Sequence, residues 1–327
     1  MKICILDNNQ IPYNSNYIYY SQIRGAENAI INLSNELAIL NHEVYVFNNV
    51  KKDIKLNNVN WININNIKNK PNFDIAITNN DIRLLDKIKS NKKFAISHSI
   101  QTLEKFIRKK QFYSYLKNKP KIILLGNYHF NNRNFFLRMF GFIKTSWGVD
   151  DFIIDKNIND VLVDNNKAIF TSHSDRNLKI LIDIWKDKIF PNNKLRKLFI
   201  TPISNDFTKY NIYNRHFTDK VKMIEQLSSS RLLLLPGHKA ELFCIAAEEG
   251  RELCVPIVTL GIGSLSERVI HGKTGFIAKN FNEFSNYTLE LFNSDSVWNE
   301  LRFNLKKLRG SLKWKKITSD LLSSMIN

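Results

Sequence analysis

The feature that most constrains this chain is a series of short apolar runs alternating with segments of helical periodicity. Residues 2–7 have the pattern of a buried strand that ends in polar turn residues. Over 26–41, Ala26, Ile30, Leu33, Leu37 and Leu40 recur at helical spacing, and Asn41 stands where a C-terminal cap belongs. Further strands are expected at 43–47, 75–78, 94–97 and 122–125. Runs that are apolar throughout suit strands covered on both faces. Their alternation with helices implies βαβ units around a parallel sheet.

The pattern then restarts. A strand is expected at 168–172, and a helix at 177–188 with Leu178, Leu181, Ile182 and Trp185 on one face. Strands follow at 197–201, 232–235 and 256–259, a helix at 243–253, and helices close the chain. A length of 327 residues and 43% hydrophobic content accommodate two cores. We therefore expect an N-terminal Rossmann-like domain at 1–150, a second at 151–305, and a C-terminal helix within 306–327 able to cross back to the first. Ligands of open α/β sheets bind beyond the carboxyl ends of the strands, which places the expected active site in a cleft between facing sheet edges.

Charge is high and uneven. Lys and Arg number 48 against 30 Asp and Glu, a net +18. Residues 1–150 carry 22 basic against 10 acidic side chains and so +12, leaving +6 for the remainder. Such a surface suits anionic partners, or a merely soluble lysine-rich exterior. Within 105–144 stand ten Lys/Arg, ten aromatic residues and no carboxylate. That stretch fits an anionic membrane surface, a core whose lysines face solvent, or, ranked below both, single-stranded nucleic acid. Cys4, Cys244 and Cys254 form no CxxC pair, as expected of free thiols in a reducing compartment. No apolar run approaches the roughly 18 residues of a membrane span and no secretory signal is evident, so a cytoplasmic location, with room for peripheral membrane contact, is expected.

The most informative segment is residues 232–278, LLLLPGHKAELFCIAAEEGRELCVPIVTLGIGSLSERVIHGKTGFIA. A buried strand ends near Pro236, a polar turn carries Glu241 to the sheet edge, and a helix begins near Phe243. A helix start with free N–H groups favours anionic or hydroxyl-rich ligands. Glu241 and Glu249, eight apart, can share one side of the element.

Here the chain resembles the retaining GT-B glycosyltransferases of the family 4 type. Those carry Glu, seven residues and Glu, then a Pro and an apolar strand, matched by Glu241, Glu249, Pro256 and residues 257–259. The stretch 261–267 and HGKTGFIA, with Gly272 and Gly275, resemble the family's distal pattern. The resemblance implies an α/β GT-B fold and transfer of a hexosyl unit from a nucleotide sugar, with retention and without a metal or other cofactor. It also implies that Glu241 holds the transferred sugar, that Glu249 holds the ribose hydroxyls, and that Leu242 and Phe243 line the donor. Leu242 and Cys244 depart from the glycines usual there, and Glu248 is an alternative ribose ligand.

Looser matches accompany it. Arg24-Gly25-Ala26-Glu27 resembles the first turn of the family, with Gly25 at a helix start and Arg24 replacing a second glycine. AIFTSHSDRNLKILIDIW, residues 168–185, resembles the segment that offers a basic residue to the donor diphosphate, here Arg176, with Lys179 beside it and Thr171 where a second cation is common. Residues 146–150, SWGVD, match an interdomain turn. His98, just past the strand at 94–97, is expected as an acceptor- or sugar-side contact, while His238 suits either a pocket or a turn. There is no Asp-x-Asp triplet, HExxH or P-loop. The resemblance implies a role in surface glycan or glycolipid assembly on a glycan or lipid-linked acceptor. A sugar-nucleotide epimerase and a non-catalytic membrane- or polyanion-binding subunit are the alternatives.

Overall fold

The computed structural model describes residues 1–16, 25–69, 72–98, 100, 102–215 and 219–327. The chain divides into two compact units, one of residues 1–148 with 314–327 and one of residues 149–313. The division falls two residues before the expected 150/151. Of the expected tail segment, only the helix Trp314–Ile326 joins the first unit; the helix Asp295–Leu308 belongs to the second.

In the first unit β1 (Lys2–Asp7), β2 (Glu43–Asn48), β3 (Ile54–Leu56), β4 (Val59–Asn63), β5 (Phe73–Asn79), β6 (Ser90–Ile96), β7 (Lys121–Leu125) and β8 (Phe142–Thr145) form one sheet. Their order is β3-β4-β2-β1-β5-β6-β7-β8, and every pairing except β3 with β4 is parallel. The sheet interior is apolar on both faces: Ile3, Cys4, Ile5 and Leu6 are all fully buried. The helix Gly25–Ile39 covers one face, and Asn41 just beyond it takes the left-handed φ of 61° that ends a helix. The antiparallel β3–β4 hairpin was not anticipated. Its central residues Asn57 and Asn58 both have positive φ, the pattern of a two-residue type I′ turn.

The second unit holds β9 (Asp164–Ile169), β10 (Lys197–Ile200), β11 (Ile212–Asn214), β12 (Ser230–Gly237), β13 (Ile257–Ile262) and β14 (Gly275–Ile277). They are ordered β11-β10-β9-β12-β13-β14 and all pairings are parallel. Leu178, Leu181, Ile182 and Trp185 are buried as expected, although the α-helix is Leu178–Ile184 and Trp185–Ile189 continues as a π-helical turn. The helix expected at 243–253 is shorter, Ile245–Glu252.

Each sheet has one switch point, where the chain leaves the first strand to build outward on either side. It lies between β1 and β5 in the first unit and between β9 and β12 in the second. The carboxyl ends of those strand pairs splay their following loops apart and make the natural ligand crevices.

Candidate active site

At the second unit's switch point, the loops after β9 and β12 bring four polar side chains together. The Ser172 hydroxyl donates to the Glu241 carboxylate at 3.3 Å. The Arg176 guanidinium donates to His238 Nδ1 at 3.1 Å, and the Ala240 N–H donates to the same nitrogen at 3.1 Å. Because guanidinium and amide can only donate, Nδ1 is the acceptor and His238 carries its proton on Nε2 when neutral. Asn177, with φ 61°, donates to the Gly237 carbonyl at 2.6 Å and fixes the Arg176 turn against the end of β12.

Burial pushes the Glu241 carboxyl above its ordinary range, while the Cys244 thiol, Arg176, Ser172 and His238 pull it back. Burial likewise pushes the Cys244 thiol up. Cys244 adopts φ 58°, the left-handed conformation that a glycine enters without cost. This is the position where the resembled family has glycine. Here a buried cysteine fills it and reaches back to Glu241.

The glycines after β13 serve close approach. A Cβ on Gly263 would stand 2.3 Å from the His238 carbonyl oxygen and 3.0 Å from that of Glu241, and φ there is +76°. Ser264 N–H donates to the Glu241 carbonyl at 3.0 Å. The hydroxyls of Thr171 and Ser264 are buried with no hydrogen-bond partner. Thr171 lies in the loop that carries Arg176, and Ser264 is the residue whose N–H bonds the Glu241 carbonyl.

Glu249 is buried and salt-bridged through Oε1 to Lys220 Nζ at 3.0 Å; the same ammonium meets Asp150 at 2.5 Å. Burial opposes the charge on Lys220, but Glu249 and Asp150 outweigh it and raise its pKa. Glu248 is held by Arg251 at 2.8 Å and Arg268 at 3.3 Å. Both its oxygens thus lie within ion-pair distance of guanidinium groups, as Glu249 Oε1 does of the Lys220 ammonium. Leu242 and Phe243, expected to line the donor, are buried, and Phe243 lies 4.4 Å beneath Arg268. Their side chains pack; a ligand contact at these positions falls to backbone. Lys179 is exposed on the helix Leu178–Ile184.

In the first unit His98 follows β6. Its N–H donates to Asn80 Oδ1 at 3.0 Å, its ring stacks on Trp147 at 5.8 Å, and Nε2 has no hydrogen-bond partner. Burial, and to a lesser degree His129, depress its pKa to about 4, so the ring is neutral near pH 7. Gly25 opens the helix Gly25–Ile39, whereas Arg24 lies outside the described residues. Sequence reasoning missed Ser172, Lys220 and Asp150. Ser172 and Asp150 lie within the matched segments 168–185 and 146–150, where they were read without a role in the site, and no motif marks Lys220, whose partners are distant in sequence. Among the described residues no cluster of His, Cys, Asp and Glu could hold a metal ion.

No family model matches the chain. Over 149 residues it is 28% identical to an uncharacterized glycosyltransferase of Methanocaldococcus jannaschii, a match covering 43% of this chain and 42% of that protein. The match thus spans less than half the length of the curated relative. Its fold is similar to that of WaaG, a glycosyltransferase involved in lipopolysaccharide biosynthesis, with TM-score 0.71, 11% identity and 99% of each chain covered. It is similar also to Anabaena HepE in complex with UDP and glucose, with TM-score 0.71, 14% identity and 99% of each chain covered. Sucrose-phosphate synthase from Thermosynechococcus elongatus aligns with TM-score 0.70 and 11% identity over 99% of this chain and 98% of that one. The protein has the GT-B fold of two Rossmann-like domains.

Proposed function

We propose that this protein is a retaining, metal-independent glycosyltransferase that moves a hexosyl unit from a nucleotide sugar to an acceptor hydroxyl. The observation that carries the proposal is the Ser172, Arg176, His238 and Glu241 constellation at the second sheet's switch point, next to two orphaned hydroxyls. Support comes from the fold's likeness to HepE, solved with UDP and glucose, and from the similarity over 149 residues to a glycosyltransferase of Methanocaldococcus jannaschii.

In this reading the bond from the anomeric carbon to the donor's terminal phosphate oxygen breaks, and a bond to the acceptor oxygen forms on the same face. The acceptor proton passes to the leaving phosphate. Arg176, held by His238, stabilises the negative charge that grows on the diphosphate. Glu241 orients the transferred sugar, and Glu249, pinned by Lys220, accepts from the ribose hydroxyls. No protein nucleophile is assigned. Gly25 and His98 serve the acceptor side, and Lys179 supplements the charge near Arg176.

We place the reaction in surface glycan or glycolipid assembly at the inner face of a membrane. WaaG's involvement in lipopolysaccharide biosynthesis and the basic, aromatic stretch 105–144 support this. Incubation with a panel of nucleotide sugars, with and without membrane extract, tests the reading. Nucleotide release coupled to labelled glycan supports it; an altered sugar nucleotide formed without acceptor makes the protein an epimerase, and no turnover on any donor makes it a binding subunit.

A further inference from the structure

A second guanidinium stands at the carboxyl edge of the second unit's sheet. Arg215 lies one residue past β11, on the same edge as the loops that hold Ser172, Arg176 and Glu241. Its backbone N–H donates to the Ile200 carbonyl at 2.8 Å, which extends the parallel β10–β11 ladder by one bond and fixes the main chain there. The side chain is partly buried.

Hydrogen bonds tie this guanidinium to the candidate site. Arg215 Nη2 donates to Thr201 Oγ1 at 3.2 Å, and Thr201 Oγ1 donates its single proton to the Ser172 carbonyl at 2.6 Å. Ser172 is the residue whose hydroxyl bonds Glu241. One threonine thus joins Arg215 to the loop after β9. Nε is sealed inside the fold, which leaves Nη1 as the open part of the head, with no hydrogen-bond partner among the described residues. No carboxylate lies within ion-pair distance of Arg215 among the described residues. Glu249, which supports its charge at longer range, is engaged by Lys220.

Electrostatics order the groups along the edge. Burial opposes the charge on both glutamates, and different cations restore it: Arg176 beside Glu241, Lys220 and then Arg215 beside Glu249. Arg176 therefore accompanies the carboxylate read as the sugar's, and Arg215 the one read as the ribose's. A nucleoside diphosphate stretched between those carboxylates carries its phosphates past both guanidinium groups. In the segment 168–185, Thr171 occupies the place where a second cation is common in the resembled family. The end of β11 supplies a cation from another strand.

We propose that Arg215 is a second donor-binding cation, meeting the phosphate next to the ribose while Arg176 meets the one that departs. The assignment rests on the nucleotide-sugar reading of this switch point. A guanidinium suits the place because its planar head offers paired N–H groups to phosphate oxygens, and Thr201 sets the plane.

Calorimetric titration of the full chain tests this, with UDP, GDP and ADP as probes beside uridine, guanosine and adenosine. The wild type should bind one diphosphate at least about tenfold more tightly than its nucleoside, as charge-assisted hydrogen bonds produce. Arg215→Gln should lose about tenfold in affinity for that diphosphate and bind the nucleoside as the wild type does. Arg215→Lys keeps the charge without the planar fork and should fall between the two; if Arg215→Gln does not fold, the lysine variant decides by the same selective loss. A loss shared equally by diphosphate and nucleoside makes Arg215 a support of the fold and overturns the proposal. So does an undiminished affinity for diphosphate, or a wild type that prefers no diphosphate to its nucleoside. A chain whose diphosphate binding depends on Arg215, yet which releases nucleotide from no sugar donor, keeps this contact and loses the transferase reading. One that transfers sugar equally well as Arg215→Gln does the reverse.

Discussion

Glu249 shows how a motif residue and a structural residue can be the same atom set. Its carboxylate belongs to a buried cluster with Lys220 and Asp150, so its position is fixed by the protein itself. Glu249→Gln keeps the shape and removes the charge. On the proposed function it should raise the KM for donor by about tenfold or more, with a smaller change in kcat, because that reading has Glu249 make charge-assisted bonds to the ground-state ribose; initial-rate kinetics over donor concentration check this. A second prediction concerns pH. His98 and His129 are both held near pKa 4 mainly by burial, below the ordinary 6.5, and His129 Nδ1 accepts the Leu125 N–H at 3.1 Å. The unfolded chain therefore takes up protons first as pH falls. Their contribution to stability is complete above about pH 6.5 and is lost as pH drops through 4. Raised carboxyls such as Asp7 and Glu241 act in the opposite sense as pH falls toward their ordinary values, so the comparison is made by single variant. Melting curves of His129→Gln should fall less steeply than wild type between pH 6.5 and 4; parallel curves would contradict the assignment. The Glu–Glu spacing and Arg176 could be picked out from sequence because each sits on a strand–turn–helix, Arg176 after β9 and the two glutamates after β12. Lys220 was not, since nothing local distinguishes it from other surface lysines.

At the scale of elements, the parallel strands announced themselves through unbroken apolar runs, as in Leu232, Leu233, Leu234 and Leu235, every one buried. The strands that went unread are short or polar. β3 and β4 carry Lys55, Asn60 and Asn63, and β11 and β14 are three-residue edges whose pairing comes from neighbours instead of their own composition. Turns are where the candidate site depends most on backbone. Gly263→Ala would drive a Cβ into the His238 carbonyl and force a left-handed residue to carry a side chain. It should cost about 1–3 kcal/mol of stability and most of the activity. Chemical denaturation and turnover, measured on the same preparation, test this. Intact activity would mean that the β13 loop does not support Glu241. Gly148 has a different reason: its Cβ would meet the Trp314 ring at 2.6 Å, the contact by which the final helix seats on the first unit. The SWGVD segment thus combines a packing glycine with Asp150, the partner of Lys220.

For the whole molecule, the two-unit organisation and the fold were readable because the strand–helix pattern runs twice. The exact return point of the tail was not, because Trp314 is one aromatic among several and only its fit over Gly148 marks it. The charge asymmetry belongs to this scale as well. Ile107, Tyr113, Phe135 and Met139 are each more than three-fifths exposed within the carboxylate-free stretch 105–144, while Phe106, Tyr115 and Phe136 form core. The stretch is therefore part core and part open surface. Sedimentation with anionic vesicles should carry the chain down at low salt and release it as salt rises, with little binding to zwitterionic vesicles. Phe135→Ser with Arg138→Glu should weaken it severalfold, each basic residue near such a surface contributing about 1 kcal/mol; binding unchanged by these substitutions would contradict a membrane role. The central claim is that the second unit's switch point is a nucleotide-sugar site whose cation assists departure of the diphosphate. Its most direct test is the rate of nucleotide release at saturating donor for wild type and Arg176→Ala. The account predicts that the variant folds, binds donor and turns over about 100-fold more slowly. A variant that matches wild type would contradict it.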